Sequence, residues 1–321
     1  MKAAILESQK NLRIGDVKTP ESIPDGYIKI RVKSVGICGS DVHYYLNGRI
    51  GDFILKSPMI LGHETAGIAV SDGVKIKKGD TVAIEPGIPC MKCSYCKSGE
   101  YNLCPDIRFF ATPPVDGSMR EYIVHPESFV YDASGLSTSE ASLAEPMSVG
   151  VYAVRKSSIG PGSKVLITGA GSVGILTAFV AEASGAEVIL SDLDQTKIDY
   201  AGKCGFNAYL NKDIREKFDA VFECSGYAAE FAVDHTRRGG DILLVGMGDE
   251  SGISNLKITL NEINVQGIFR YRNTYETALD IIRKNRMRLK FFTEKHVNLT
   301  DLPDYFRHGE YIKYLKTIVD I

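Results

Sequence analysis

Four cysteines spaced Cys90-x-x-Cys93-x-x-Cys96-x7-Cys104 put four thiolates within 15 residues. A loop that tight can wrap one tetrahedral ion, as closed all-thiolate zinc sites do. Lys92, Ser94, Gly99 and Asn102 between them are loop residues, and no run there would give the cysteines an apolar core. The rivals are an iron–sulfur cluster, which also uses C-x2-C-x2-C, and four plain buried cysteines. The fourth spacing and the lack of a following redox-partner motif weigh against the cluster. No open position is evident, so Cys90, Cys93, Cys96 and Cys104 read as holding a structural zinc.

A second set is looser. Cys38 sits in Gly36-Ile37-Cys38-Gly39-Ser40-Asp41-Val42-His43, and 25 residues on comes Gly62-His63-Glu64. One thiolate, one imidazole and one carboxylate would make a three-ligand site with an open position, the pattern of catalytic zinc. Against this stands the plain reading of a His beside Gly as a packed or capping residue, and of a lone Cys as core.

The third chemical signal is Gly169-Ala170-Gly171-Ser172-Val173-Gly174, a G-x-G-x-x-G that follows an apolar run and opens a helical pattern. Asp192 lies 18 positions after the last glycine, at the end of the next apolar run. This is the context a dinucleotide fingerprint requires. Gly169 permits the tight turn, Gly171 lets backbone approach a pyrophosphate, and Gly174 lets helix and strand pack closely. Asp192 can accept from ribose hydroxyls and would repel a 2′-phosphate, which favours NAD over NADP. Val245, Gly246 and Met247 follow a later strand and could border the nicotinamide; a plain turn glycine is the alternative there.

The elements that must carry these residues change character near residue 146. Before it, short β-type runs such as Ile28–Val35, Ala66–Val70 and Thr81–Ile84 are separated by Pro24-Asp25-Gly26 and Lys78-Gly79-Asp80. After it, strand runs alternate with helical patterns: Val165–Thr168, Ser172–Ser184, Glu187–Ser191, Gln195–Cys204, Ala220–Glu223 and Ile242–Val245. Such alternation means βαβ units and a doubly wound parallel sheet. One more helix is expected over Tyr275–Asn285.

Composition bounds the rest. The chain has 321 residues, 44% hydrophobic and 24% charged, with a net charge of −2. That is ordinary globular composition with room for about two domains, and it excludes a disordered or collagen-like chain. The balanced charge offers no electrostatic reason for nucleic acid or an anionic membrane as partner. No apolar run reaches membrane-spanning length and no secretory signal is visible, so the expected location is cytoplasmic. Seven cysteines in such a chain argue for metal or thiolate chemistry over a disulfide framework.

At these residues the chain resembles the zinc-containing medium-chain dehydrogenases, and within them the sorbitol dehydrogenase branch with its xylitol and L-iditol relatives. Family-wide stretches are Val35–Tyr45 and Pro58-Met59-Ile60-Leu61-Gly62-His63-Glu64. Others are Gly48-Arg49-Ile50-Gly51, Ala83-Ile84-Glu85-Pro86-Gly87 and Glu145-Pro146-Met147-Ser148-Val149-Gly150. His43-Tyr44-Tyr45, Phe109-Phe110-Ala111-Thr112-Pro113-Pro114 and Phe269-Arg270-Tyr271-Arg272-Asn273-Thr274 point to the polyol branch.

The resemblance implies a GroES-like catalytic domain over 1–146, with a structural-zinc lobe at about 86–105. It implies a Rossmann domain over 147–266 and a segment 267–321 returning to the first, with the cleft between domains. It implies that Cys38, His63 and Glu64 hold the catalytic zinc, with Glu145 beside it as a ligand or through a water. Ser40 and His43 would lie near the cofactor ribose and relay a proton. Tyr44, Phe109, Thr112, Glu145, Arg270 and Tyr271 match the polyol pocket. Asp192 and Lys197 match the adenosine-ribose side, Val173 the diphosphate turn, and Phe269 and Arg270 the cofactor side. The implied reaction is oxidation of a polyol to a ketose with hydride transfer to NAD, in a homodimer or homotetramer. A pocket built to bond hydroxyls rejects analogues lacking them, because its own polar groups go unpaired. The tyrosines could equally be core aromatics, and Ser40 and His43 turn or capping residues. The alternatives are a dehydrogenase for threonine or 2,3-butanediol, and a non-catalytic nucleotide-binding protein on the same fold. Segments 67–80 and 211–219 are shorter than the family usually has.

Overall fold

A computed structural model describes residues 1–248 and 252–321. The chain divides into two compact units: 1–145 with 282–286 and 292–321, and 146–281 with 287–291.

The first unit is built on a seven-stranded sheet. The strand Tyr27–Gly36 is its spine, pairing antiparallel with Glu64–Ala69, with Tyr122–Pro126 and with Ile318–Asp320 near the chain's end. Alternation along Tyr27–Gly36 sends Ile28, Ile30 and Val32 inward, all three fully buried. Each such side chain contributes roughly 1.5–3 kcal/mol of hydrophobic stabilisation. Thr81–Ile84 and Val130–Asp132 extend the sheet on one side, and His296–Asn298 extends it past Ile318–Asp320 on the other. A three-stranded sheet of Asn11–Asp16, Lys2–Ser8 and Met59–Ile60 lines the same core. The register Gly36↔Glu64 and Ile318↔Gly36 brings three distant stretches side by side, and the candidate site is built there.

The second unit is a six-stranded, all-parallel sheet. Its order is Asn207–Leu210, Glu187–Asp192, Lys164–Thr168, Phe218–Glu223, Thr236–Leu244 and Asn264–Gly267. The order reverses between Lys164–Thr168 and Phe218–Glu223, which makes the carboxyl end of Lys164–Thr168 the switch point where doubly wound sheets bind ligands. Central strands covered on both faces must be apolar throughout, and Val165, Leu166, Ile167, Ala220, Val221 and Phe222 are fully buried. Helix Ser172–Ala183 packs its Gly174–Ala181 stretch into this core. A Cβ at Gly174 would stand 1.9 Å from the Gly169 carbonyl oxygen, so only glycine allows this approach of helix and turn.

The strand expected to start at Ile242 begins at Thr236, which pairs with Phe218; Arg237, Arg238 and the two glycines after them form an irregularity in the register before pairing resumes at Asp241. Their polarity resembles that of a turn. The helix expected to end at Asn285 runs on to Leu289, with Asn285 itself non-helical at φ −117°. Residues 267–281 pack with the second unit. The short segment after Glu64–Ala69 is held by Glu127, whose carboxylate accepts from the N–H groups of Val74, Lys75 and Ile76. The other, 211–219, opens with a single 3-10 turn, Asn211–Asp213, and runs into strand Phe218–Glu223. Among the described residues no helix is long and apolar enough to cross a membrane.

Candidate metal and cofactor sites

Cys38 follows the spine strand and caps helix Gly39–Asn47, while His63 and Glu64 stand at the start of the neighbouring strand. The antiparallel register therefore places them together. One ligand atom from each of Cys38, His63 and Glu64 lies within 4.8 Å of the others, and His63 and Glu64 are buried. Gly36 leaves the room for this: a Cβ there would fall 2.0 Å from Glu64 Oε2.

Two further residues hold the set, and neither was singled out in the sequence. Asp41, fully buried, accepts from the Cys38 N–H at 3.0 Å and from the Gly62 N–H at 2.9 Å. One carboxylate thus ties the two ligand-bearing segments. Its place three residues after the helix cap is a capping-box spacing, a signal the sequence did carry. Lys316 donates to both oxygens of Glu64, at 2.6 and 2.7 Å, and to the Ile37 carbonyl at 3.1 Å. No local pattern marks Lys316; the pairing of Ile318–Asp320 with the spine puts it there.

The electrostatics suit a cation. Burial disfavours the imidazolium of His63, yet Cys38, Glu145 and Asp41 outweigh it and push His63 up to about 10. Burial likewise opposes the Lys316 ammonium, and Glu64, Cys38 and Glu145 more than offset it. Burial raises the Asp41 carboxyl, against the pull of His63 and its two backbone donors. Glu145 stands outside the tight three-residue set, but its charge acts on both His63 and Lys316. A pocket of thiolate, imidazole and carboxylates that concentrates this much negative charge fits a divalent metal.

The four-cysteine lobe fits one as well. Its sulfur atoms lie within 4.8 Å of one another, with Cys93–Cys96 at 3.4 Å and Cys90–Cys96 at 4.0 Å. Tetrahedral zinc with bonds of about 2.3 Å would hold its sulfurs about 3.8 Å apart. Backbone N–H groups of Cys90, Cys93 and Cys96 point at Cys104, Cys90 and Cys93 sulfurs, at 3.3–3.4 Å. Backbone donors of Lys92 and Cys93 pull the Cys90 thiol down to about 7, toward the thiolate a metal needs.

In the second unit the glycine turn sits at the switch point. Gly169 has φ +90°, and a Cβ at Gly171 would meet nothing within 4 Å, which leaves open space where a pyrophosphate would approach. Val173 lies in the first turn of helix Ser172–Ala183. Asp192 is pinned at the end of its strand: it accepts from Ala170 N–H at 2.8 Å, and from Leu193 and Asp194 N–H at 2.8 and 3.0 Å. Lys197 Nζ stands 3.6 Å from Asp192 Oδ2, the oxygen that accepts from Ala170. Val245 and Gly246 donate to the Glu223 carbonyl, which draws that turn toward the glycine turn's strand neighbour, and Met247 is exposed beside them.

The remaining predicted residues fall in different settings. Ser40 and His43 share one face of helix Gly39–Asn47, His43 exposed and Ser40 half-buried. Tyr44 is buried in the first unit's core. The Phe109 ring lies 5.9 Å from that of His63, and Thr112 is half-buried in the turn that follows. In the second unit the Arg270 guanidinium lies over the Phe269 ring at 4.8 Å, and buried Tyr271 packs on Tyr275.

Comparison with known proteins agrees with this construction. Residues 24–135 match the alcohol dehydrogenase GroES-like domain, and residues 172–284 match the zinc-binding dehydrogenase family. The chain is 38% identical to sorbitol dehydrogenase of Bacillus subtilis (strain 168), over 95% of this chain and 92% of that protein. Among solved structures, 2R,3R-butanediol dehydrogenase of Bacillus subtilis superposes with a TM-score of 0.88 at 28% identity, covering 100% of this chain and 99% of that one. A zinc-binding dehydrogenase of Sinorhizobium meliloti 1021, solved with NADP bound, superposes with a TM-score of 0.88 at 27% identity, covering 100% and 99%. The fold is that of a GroES-like domain joined to a Rossmann domain, and zinc and a nicotinamide cofactor belong to it. The chain is a member of the zinc-binding medium-chain alcohol and polyol dehydrogenases, an oxidoreductase family.

Proposed function

We propose that this protein oxidises a secondary hydroxyl of a polyol to a ketone and transfers the hydride to NAD. The observation that carries the reading is the convergence of Cys38, His63 and Glu64 within 4.8 Å of one another. Zinc held there would supply Lewis acidity that makes a substrate hydroxyl easier to deprotonate, and the nicotinamide would accept the hydride. Cys38, His63 and Glu64 hold the ion, with Glu145 beside it. Cys90, Cys93, Cys96 and Cys104 hold the structural ion. Lys316 and Asp41 keep the ligand-bearing segments in place. Ser40 and His43, at i and i+3 on one helix face, suit a relay: the Ser40 hydroxyl takes the substrate proton and His43 passes it to solvent.

Asp192 binds the adenosine ribose. Its two oxygens are fixed by backbone donors, so its charge stands ready against a 2′-phosphate; this supports NAD. Lys197, Gly169, Gly171, Val173 and Gly174 complete that end, and Val245, Gly246, Met247 and Phe269 the nicotinamide end. Tyr44, Phe109, Thr112, Glu145, Arg270 and Tyr271 bind the hydroxyl chain. The protein works as a homo-oligomer, a reading supported by the uncovered edge strand Asn264–Gly267, all four of whose residues are exposed.

The test is NADH formation by the zinc-loaded protein with sorbitol, xylitol, ribitol, galactitol, threonine, 2,3-butanediol and ethanol, run with NAD and with NADP. Turnover concentrated on polyols with NAD supports the proposal. Turnover confined to butanediol, threonine or ethanol overturns the polyol assignment, and preference for NADP overturns the role of Asp192.

A further inference from the structure

The loop 268–274 joins strand Asn264–Gly267 to helix Tyr275–Leu289 and carries Arg270 and Tyr271. Two of its residues, Arg270 and Asn273, have φ of +53°. Neither is glycine. A left-handed backbone costs an L-residue roughly 1–2 kcal/mol, less for Asn, so two within four residues persist only where the surroundings impose them.

One face of helix Ala144–Lys156 is part of those surroundings. Arg155, in its last turn, donates from Nη1 to the Asn273 carbonyl at 2.5 Å and from Nη2 to Thr277 Oγ1 at 2.8 Å. Three residues earlier on the same face, the Tyr152 ring lies under the Arg272 guanidinium at 5.8 Å. The helix thus grips two consecutive loop residues, Arg272 and Asn273. The fork of Arg155 spans the junction from the left-handed Asn273 to the first turn of the next helix. Lysine has no such two-pronged planar donor.

We infer that Arg155 is a positioning residue: it locks the strained turn that presents Arg270, and so sets preference for substrates carrying several hydroxyls. The inference rests on the polyol reading above. Arg155 is exposed, and removing an exposed hydrogen bond of this kind changes folding stability little. Its effect on recognition is therefore separable from an effect on the fold.

The experiment compares Arg155→Ala and Arg155→Lys with the wild type in three readouts. The first is kinetics on the best polyol and on a monohydric secondary alcohol, 2-propanol. The second is NADH binding by fluorescence. The third is amide hydrogen exchange across 268–274. For Arg155→Ala the polyol KM should rise about tenfold, the loss of one charged hydrogen bond's worth of positioning. kcat/KM on 2-propanol and NADH affinity should hold within about twofold, and exchange over 268–274 should accelerate. Arg155→Lys should recover part of the polyol KM. An equal loss on both substrates, or an unchanged polyol KM with unchanged exchange, overturns the inference. Failure of the polyol reading is distinguishable, because it appears in the wild type as no preference for polyols. Unaltered exchange in Arg155→Ala would then still disprove the lock.

Discussion

Lys316 Nζ bonds both carboxylate oxygens of Glu64 with the two side chains only 3% and 1% exposed. They are 252 residues apart in the chain. A buried charge pair of this kind stands or falls together: removing one partner leaves the other's charge unpaired, at a cost of about 3–5 kcal/mol. Lys316→Met should therefore destabilise the metal-free protein by about that amount. A divalent ion beside Glu64 supplies the missing positive charge, so zinc loading should recover much of the loss. Thermal melting of wild type and variant, with zinc and with a chelator, measures this. An identical penalty in both conditions would show that Glu64 is not at the metal.

Asp41 accepts from Cys38 and Gly62 with a different oxygen each. Asparagine offers one acceptor and would turn an N–H toward one of those donors. Asp41→Asn should weaken zinc binding about 10–100-fold, as loss of partners that orient metal ligands does elsewhere. Competition against a chromophoric chelator reads the affinity, and zinc in the cysteine lobe serves as the internal control. An unchanged affinity at the Cys38 site would limit Asp41 to helix capping.

Asp192→Ser should shift cofactor preference toward NADP by at least about tenfold, since a charge that repels the 2′-phosphate is gone. It should also weaken NAD, because the backbone donors of Ala170, Leu193 and Asp194 lose their acceptor. Ratios of kcat/KM for the two cofactors decide the matter. A ratio that stays put would mean Asp192 serves the turn alone.

His125 is fully buried, with Nε2 on the Glu85 carbonyl at 2.8 Å. Burial lowers its pKa from 6.5 to about 4, and nearby Arg108 adds to this against the pull of the carbonyl. Between those two values the unfolded chain binds a proton that the folded one does not. Stability contributed by the neutral ring is thus complete above 6.5 and is lost as pH falls toward 4, by about 3 kcal/mol in all. His125→Gln, which keeps an N–H for the carbonyl, should flatten this limb by about one proton. Denaturant titrations at pH 4 to 7 give the slope; parallel slopes in wild type and variant would contradict the assignment.

Much of the fold was legible because its signals are local. The run Val165–Thr168, the glycine turn, the helix after it and the strand ending at Asp192 lie within 30 residues and read directly as one βαβ unit. The start of strand Thr236–Leu244 is not legible because its first residues are polar and carry glycine, and only the pairing of Thr236 with Phe218, across an irregular register, extends the strand back to it. Helix Tyr275–Leu289 was read to its irregular point at Asn285, where the backbone leaves helical geometry although the chain continues in a second turn.

The sequence by itself named the candidate ligands and the turns. Cys90, Cys93, Cys96 and Cys104 stand out because four cysteines fall within 15 residues, a spacing that lets one loop wrap one ion, and Gly174 because it closes a G-x-G-x-x-G between an apolar run and a helical pattern. What only the tertiary structure decided is which distant groups hold those ligands. Lys316 reaches Glu64, Asp41 reaches Gly62, and Arg155 grips Asn273 across 118 residues. Each depends on sheet register or on a helix packing against a loop. Such contacts leave no spacing in the chain, since the free energy that forms them comes from burying apolar strands and helix faces elsewhere.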